Sequence, residues 1–138
     1  MMKILVVILT SILMFTGNYF TSNKNITLTA TNLISNDGKV SFFLFDEVTF
    51  MKKPIKTKHE IIINAKSSVT FKNLKKGEYS VVCFHDRNNN DKIDFDELGF
   101  PLESLATYNH LLSIEETTFT NSKFSLGEKN LTLEIKFF

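Results

Sequence analysis

The sequence predicts an all-β fold, an antiparallel β-sandwich of about seven strands. Three observations predict it. Apolar residues alternate with polar ones at period two along most of the chain, with no sustained 3.6-residue helical period. Turn-forming clusters, among them Asn36-Asp37-Gly38, Lys75-Lys76-Gly77 and Gly127-Glu128-Lys129, separate the alternating runs. Finally, 138 residues that are 43% hydrophobic and 22% charged suffice for one core and not for two.

The first 22 residues read as a signal peptide and residues 23–138 as a single domain. Lys3 supplies a short positive start, and Ile4 to Phe15 is an apolar run shorter than the roughly 20 residues of a membrane span. No Ala-x-Ala site fixes the cleavage point, which is expected between Gly17 and Asn23; an uncleaved anchor is the competing reading. No cysteine follows the apolar run, so a lipoprotein signal is not indicated.

Within the domain, Ile26, Leu28 and Ala30 alternate with threonines and predict a first strand. Val40 to Phe45 is apolar on both faces and predicts a central strand. Glu60 to Ala65 and Ser68 to Asn73 predict two more, and Glu78 to His85 is the strongest of all. There Tyr79, Val81 and Cys83 should face one way, Val82 and Phe84 the other. After a long loop, Thr117 to Leu126 alternates around Phe119 and Phe124. Leu131, Leu133, Ile135 and Phe137 then alternate with Thr132, Glu134 and Lys136 in a closing strand. Pro54 to Ile61 is a weak helical candidate.

The long loop carries the chemistry. Calcium takes six to eight oxygen ligands, and a twelve-residue loop supplies them from positions 1, 3, 5, 9 and 12 plus a backbone carbonyl at 7. Counted from Asp86, those positions hold Asp86, Asn88, Asn90, Asp94 and Glu97, with the carbonyl of Lys92; position 8, where an aliphatic residue turns back into the core, holds Ile93. Position 6 ordinarily needs glycine for its positive φ and here is Asp91. Aspartate tolerates that region, so weaker binding and not loss of the site is expected. The bland alternative is an Asx-rich turn without an ion. The loop follows a strand, so the expectation is an EF-hand-like calcium loop between β-strands, structural in role, with an affinity near 10⁻⁴–10⁻³ M.

Leu74-Lys75-Lys76-Gly77-Glu78-Tyr79-Ser80-Val81-Val82-Cys83-Phe84-His85-Asp86, the Asn-rich loop, and Gly99-Phe100-Pro101-Leu102-Glu103 together resemble domain-of-unknown-function family 2141, small exported bacterial proteins. The Phe119 to Phe124 stretch resembles a later strand of that family, and the likeness covers Ile26 to Phe138. Two departures stand out: Ser104-Leu105-Ala106-Thr107-Tyr108 replaces a Gly-rich segment, and Asp91 replaces the loop glycine. The resemblance implies a prealbumin-like or carboxypeptidase-regulatory-like sandwich, and no activity.

Other candidates carry less. His85 could orient a carboxylate or bind a second metal, but a strand-end histidine is more often just hydrogen-bonded. Glu103 could add a calcium ligand, or pair with His85 in a metal-dependent hydrolase, with His110 near, but plain solvent exposure is the commoner fate of such a residue; His59 sits in a lysine-rich stretch. Ser104 lacks a nucleophile-elbow context. The lone Cys83 excludes an internal disulfide and reads as buried. A net charge of +1, with only the short Lys52 to Lys58 cluster, gives no nucleic-acid stripe. Asn25-Ile26-Thr27 and Asn130-Leu131-Thr132 match glycosylation acceptors without further support. The expected protein is thus an exported, periplasmic or cell-surface, non-enzymatic calcium-binding module. Its partner would be an unidentified ligand or envelope protein, with no stable membrane span once the signal is removed.

Overall fold

The computed structural model describes residues 23–109 and 116–138. The signal-peptide reading and His110 lie outside the described residues. The elements are β1 (Lys24–Thr31), β2 (Lys39–Phe45), β3 (Lys56–Ile61), β4 (Ser67–Leu74), β5 (Gly77–Asp86), β6 (Leu105–Thr107), α1 (Phe119–Ser122), β7 (Phe124–Leu126) and β8 (Leu131–Lys136). They form two sheets and almost no helix. One sheet runs β4-β1-β8, the other β3-β2-β5-β6 with β7 beside the start of β5. The expectation of antiparallel sheets fails at one pairing among the described strands: β1 runs parallel to β8, with Ile26 facing Leu131 and Thr31 facing Lys136.

Alternation builds the core. Ile26, Leu28 and Ala30 of β1, Val69 and Phe71 of β4, and Ile135 of β8 meet Val40, Phe42 and Leu44 of β2 and Tyr79, Val81 and Cys83 of β5 in one apolar cluster. The central strands are covered on their outer side as well. Phe43 stacks on Phe84 with ring centroids 5.6 Å apart. Phe50, from the segment after β2, meets Phe45 and Phe119 edge-on. Tyr79 to Asp86 are therefore buried in an unbroken run, the usual reason a strand loses alternation and becomes apolar throughout.

Three further expectations need correction. The strand expected at Glu60–Ala65 lies instead at Lys56–Ile61, which also replaces the helical candidate Pro54–Ile61. Asn64 and Ala65 have φ of 52° and 58° and form a tight turn closed by the Ile63–Lys66 bridge. Two successive left-handed residues cannot continue a strand. β3 is an edge strand exposed along its whole length, so it has no apolar face to betray it, and its lysines suit an open edge. The strand expected over Thr117–Leu126 is broken by α1. Thr118 Oγ1 accepts from Asn121 N at 3.2 Å, and Asn121 Oδ1 accepts from Thr118 N at 2.8 Å. This reciprocal cap closes one helical turn before β7. Finally β6, three residues long, was not expected at all.

The register that matters for function joins β2 to β5. Lys39 at the start of β2 lies opposite Asp86 at the end of β5, so the Asn36-Asp37-Gly38 turn stands beside the opening of the Asx-rich loop.

Candidate functional site

Strand β5 delivers Asp86 fully buried, an unusual place for a carboxylate. Its neighbours explain how it is tolerated. Asp86 Oδ1 accepts from Asn90 N at 3.1 Å and Oδ2 from Asp91 N at 3.0 Å, while Lys39 Nζ lies 3.6 Å from Oδ2. The first loop residue thus folds the next five around its own side chain.

Asn88, Asn90 and Asp94 are brought onto one another. Asn88 Nδ2 donates to Asp94 Oδ2 at 2.7 Å, and Asn90 Nδ2 lies 3.0 and 2.9 Å from Asp94 Oδ1 and Oδ2. Asn88 Oδ1 accepts from Asn90 N at 3.2 Å and Asn90 Oδ1 from Lys92 N at 2.9 Å. The amide groups therefore supply the positive ends of dipoles at Asp94; a half-turn of each would present its oxygen instead. Lys92 is exposed, and Ile93 does not join the core as expected: it is half-buried and borders a depression on the outer face of the five-stranded sheet with Phe43, Met51 and Pro54.

The two glutamates differ. Glu97 is exposed, with no hydrogen bond or ion pair to the rest of the loop among the described residues. Glu103, expected to be exposed, is instead buried because it holds two stretches of the loop: Oε1 accepts from Arg87 N at 3.2 Å and Oε2 from Asp94 N at 3.3 Å. An open depression of about 510 Å³ is lined by Asp37, Arg87, Asn88, Asp94, Leu102 and Glu103.

Asp91, the residue in the glycine position, has φ of 61°, inside the left-handed region that a short polar side chain tolerates. Its carboxylate lies 2.5 Å from Lys39 Nζ and 4.0 Å from His59 Nδ1. The hydrogen bond from Lys39 holds the Asp91 carboxyl below the ordinary carboxylate value. The same bond holds the Lys39 ammonium above the ordinary lysine value. Lys39 was not expected in the site; only the β2–β5 register brings it there, and no local motif announces it.

Chemically the set is one of hard oxygens: the carboxylates of Asp86, Asp94 and Glu103 with the amides of Asn88 and Asn90. Such donors suit calcium and not a thiophilic metal. Among the described residues no three His, Cys, Asp or Glu side chains already converge as a finished metal cage; the loop is drawn together by its own hydrogen bonds. Fitting a calcium ion would require the asparagine amides to turn.

The residues of the alternative hydrolase reading are otherwise engaged. His85 is buried, by alternation shares the face of Cys83, and its Nε2 donates to the Asp37 carbonyl at 2.8 Å. Its Nδ1 is buried and has no hydrogen-bond partner among the described residues. Both oxygens of Glu103 accept from backbone N–H groups. His59 bonds Ser41 Oγ at 2.8 Å from its place on β3.

Two sheets around one core and an Asx-rich loop closed by a buried aspartate and a buried glutamate define an all-β protein with a polar loop at one end of its strands. The chain belongs to the family described as an uncharacterized protein conserved in bacteria, domain-of-unknown-function family 2141, whose model matches residues 28–134. No curated protein and no solved structure matches the chain. Among the described residues no helix is long and apolar enough to cross a membrane.

Proposed function

We propose that this protein is a non-enzymatic, calcium-stabilised module of the bacterial cell envelope, exported to the periplasm or cell surface, where it binds a ligand or an envelope protein. In this reading the two sheets form a prealbumin-like sandwich and calcium fastens the Asp86–Glu103 loop. The N-terminal charge and apolar run support export. One observation carries the calcium reading. Positions 1, 3, 5 and 9 of the loop, Asp86, Asn88, Asn90 and Asp94, are linked in one hydrogen-bonded group, and position 6, Asp91, has the positive φ that such a loop requires.

The ligands are the side chains of Asp86, Asn88, Asn90 and Asp94 and the carbonyl of Lys92. Glu97 holds the twelfth position by sequence count, but Glu103 is the carboxylate that lies against the loop, and we assign the closing role to Glu103. The ion would balance charge and fix a loop with few apolar contacts of its own. No proton-transfer step is assigned to His85, which is enclosed by protein.

The test is thermal unfolding in EDTA and in calcium at about 10 mM, for the wild type and for an Asp86→Ala, Asp94→Ala double variant. At an affinity of 10⁻⁴–10⁻³ M that concentration should raise the wild-type melting temperature by roughly 3–10 °C. The variant should show no calcium-dependent shift, whatever its own baseline. An unchanged wild-type melting temperature would reduce the loop to an Asx-rich turn.

A further inference from the structure

Beyond the loop's hydrogen-bonded centre lies a second feature, a hairpin held by its own backbone hydrogen bonds. Residues 94–102 form a small hairpin: Leu102 N donates to Asp94 O at 2.8 Å, Asp96 N to Phe100 O at 2.9 Å and Gly99 N to Asp96 O at 3.0 Å, with a bridge between Phe95 and Pro101. Asp96 Oδ1 accepts from Leu98 N and Phe100 N at 2.9 and 2.8 Å. This well-bonded hairpin holds Phe95, Leu98, Phe100 and Leu102 out to solvent at 56%, 82%, 62% and 64% exposure. Large apolar side chains clustered on one projecting element mark a contact surface. Asp96 and Glu97 stand among them, so the tip is apolar and acidic.

The outer face of the five-stranded sheet offers the complement. A depression of about 220 Å³ there is lined by Phe43, Phe45, Met51, Pro54, Val82 and Ile93, with Lys52 at its rim. Lys53 is exposed beside it. Among the described residues neither Lys52 nor Lys53 forms an ion pair, and neither does Asp96 or Glu97. Lys52 Nζ donates to the Val48 carbonyl at 3.3 Å and Asp96 caps its own hairpin, but among the described residues neither has an ionic partner, so one chain carries an acidic apolar knob and a basic-bordered apolar hollow. Ile93 borders the hollow and immediately precedes the hairpin, so the two surfaces adjoin along the chain.

We infer that the partner of these surfaces is a second copy of the chain, in a two-fold dimer where each hairpin places Leu98 or Phe100 in the other's hollow and Glu97 near the other's Lys52. Neighbouring complementary patches are what an isologous contact needs, because each pair is then made twice. Apolar anchors in pockets supply most of the affinity and the rim charges set the pairing.

Sedimentation of the purified protein from about 1 μM to about 1 mM tests this, that range spanning weak to moderate association. A monomer–dimer equilibrium is expected, weakened by salt. The Leu98→Ser, Phe100→Ser double variant alters only exposed side chains. It should keep the wild-type circular dichroism spectrum and raise the dissociation constant at least about tenfold. Lys52→Glu and Glu97→Lys should each impair the dimer, and an equal mixture of the two should restore it as a heterodimer. A monomer throughout, open-ended growth, or a dimer indifferent to these changes overturns the proposal. Since none of these readouts involves calcium, failure here leaves the calcium reading to its own test.

Discussion

Gly38 lies directly against the backbone of Asp86. A Cβ on Gly38 would stand 2.7 Å from Arg87 Cα and 2.8 Å from the Asp86 carbonyl carbon, and closer still to its oxygen. The glycine also has φ of 72°. Gly38→Ala therefore meets backbone atoms that cannot turn aside, in a conformation that costs an L-residue about 1–2 kcal/mol before any clash. It should lower stability by more than about 2 kcal/mol, read by denaturant unfolding. Gly127→Ala is the control: nothing lies within 4 Å of the added carbon, and the change should be neutral or stabilise by up to about 1 kcal/mol.

The two glutamates of the loop should separate cleanly. Glu103→Gln removes the buried carboxylate that holds Arg87 N and Asp94 N, and should abolish most of the calcium-induced rise in melting temperature. Glu97→Gln, at an exposed position, should leave that rise within about a degree of the wild type. The opposite ranking, by the same thermal scans, would return the closing role to Glu97.

Asp91 and Lys39 make stability depend on pH at both extremes. The folded Asp91 carboxyl sits below its ordinary value of 3.8, so its contribution is complete above that value and is lost as pH falls through the lower folded value. The folded Lys39 ammonium sits above its ordinary value of 10.5, so its contribution is complete below that value and is lost as pH rises through the higher folded value. In EDTA, Asp91→Asn should therefore be slightly less stable than the wild type between these limits and indistinguishable from it well outside them. Exposure keeps the difference small at neutral pH. A difference that stays constant from pH 6 to pH 2 would show that the pair is not its source.

Cys83 should be chemically silent. It is completely buried, and burial pushes its thiol far above the ordinary value. A thiol-specific disulfide reagent should fail to label the native protein and should label it fully in denaturant, with a rate that reports opening of β5. Rapid native labelling would mean that the strand is not held as described.

Much of this architecture was legible because alternation encodes which side of a strand is buried. β1, β2, β4, β5 and β8 all lie within about two residues of where their apolar pattern puts them. β3 was misplaced because an edge strand exposed along its length carries no such pattern. α1 was legible in two signals that a strand does not explain: Phe119 and Phe124 are an odd five residues apart, so alternation would turn them to opposite faces although both are buried, and Thr118 and Asn121 form a reciprocal cap. In the site, the spacing of Asp86, Asn88, Asn90 and Asp94 could be counted along the chain. Lys39 and Gly38 could not, because they reach the loop through strand pairing between distant segments.

The parallel pairing of β1 with β8 has a consequence for how the molecule assembles. β1 is the middle strand of its sheet, yet one flank is supplied by β8, the last of the described strands; Asn25 N and Asn130 Oδ1, 105 residues apart, are hydrogen-bonded at 2.9 Å. β1, made roughly 100 residues before β8, must wait for it before its second edge is satisfied. Contacts of such long sequence separation slow folding, and they leave a long interval in which the side of β1 destined for β8 is open to other chains. The order of events in time is thus written into the strand order in space.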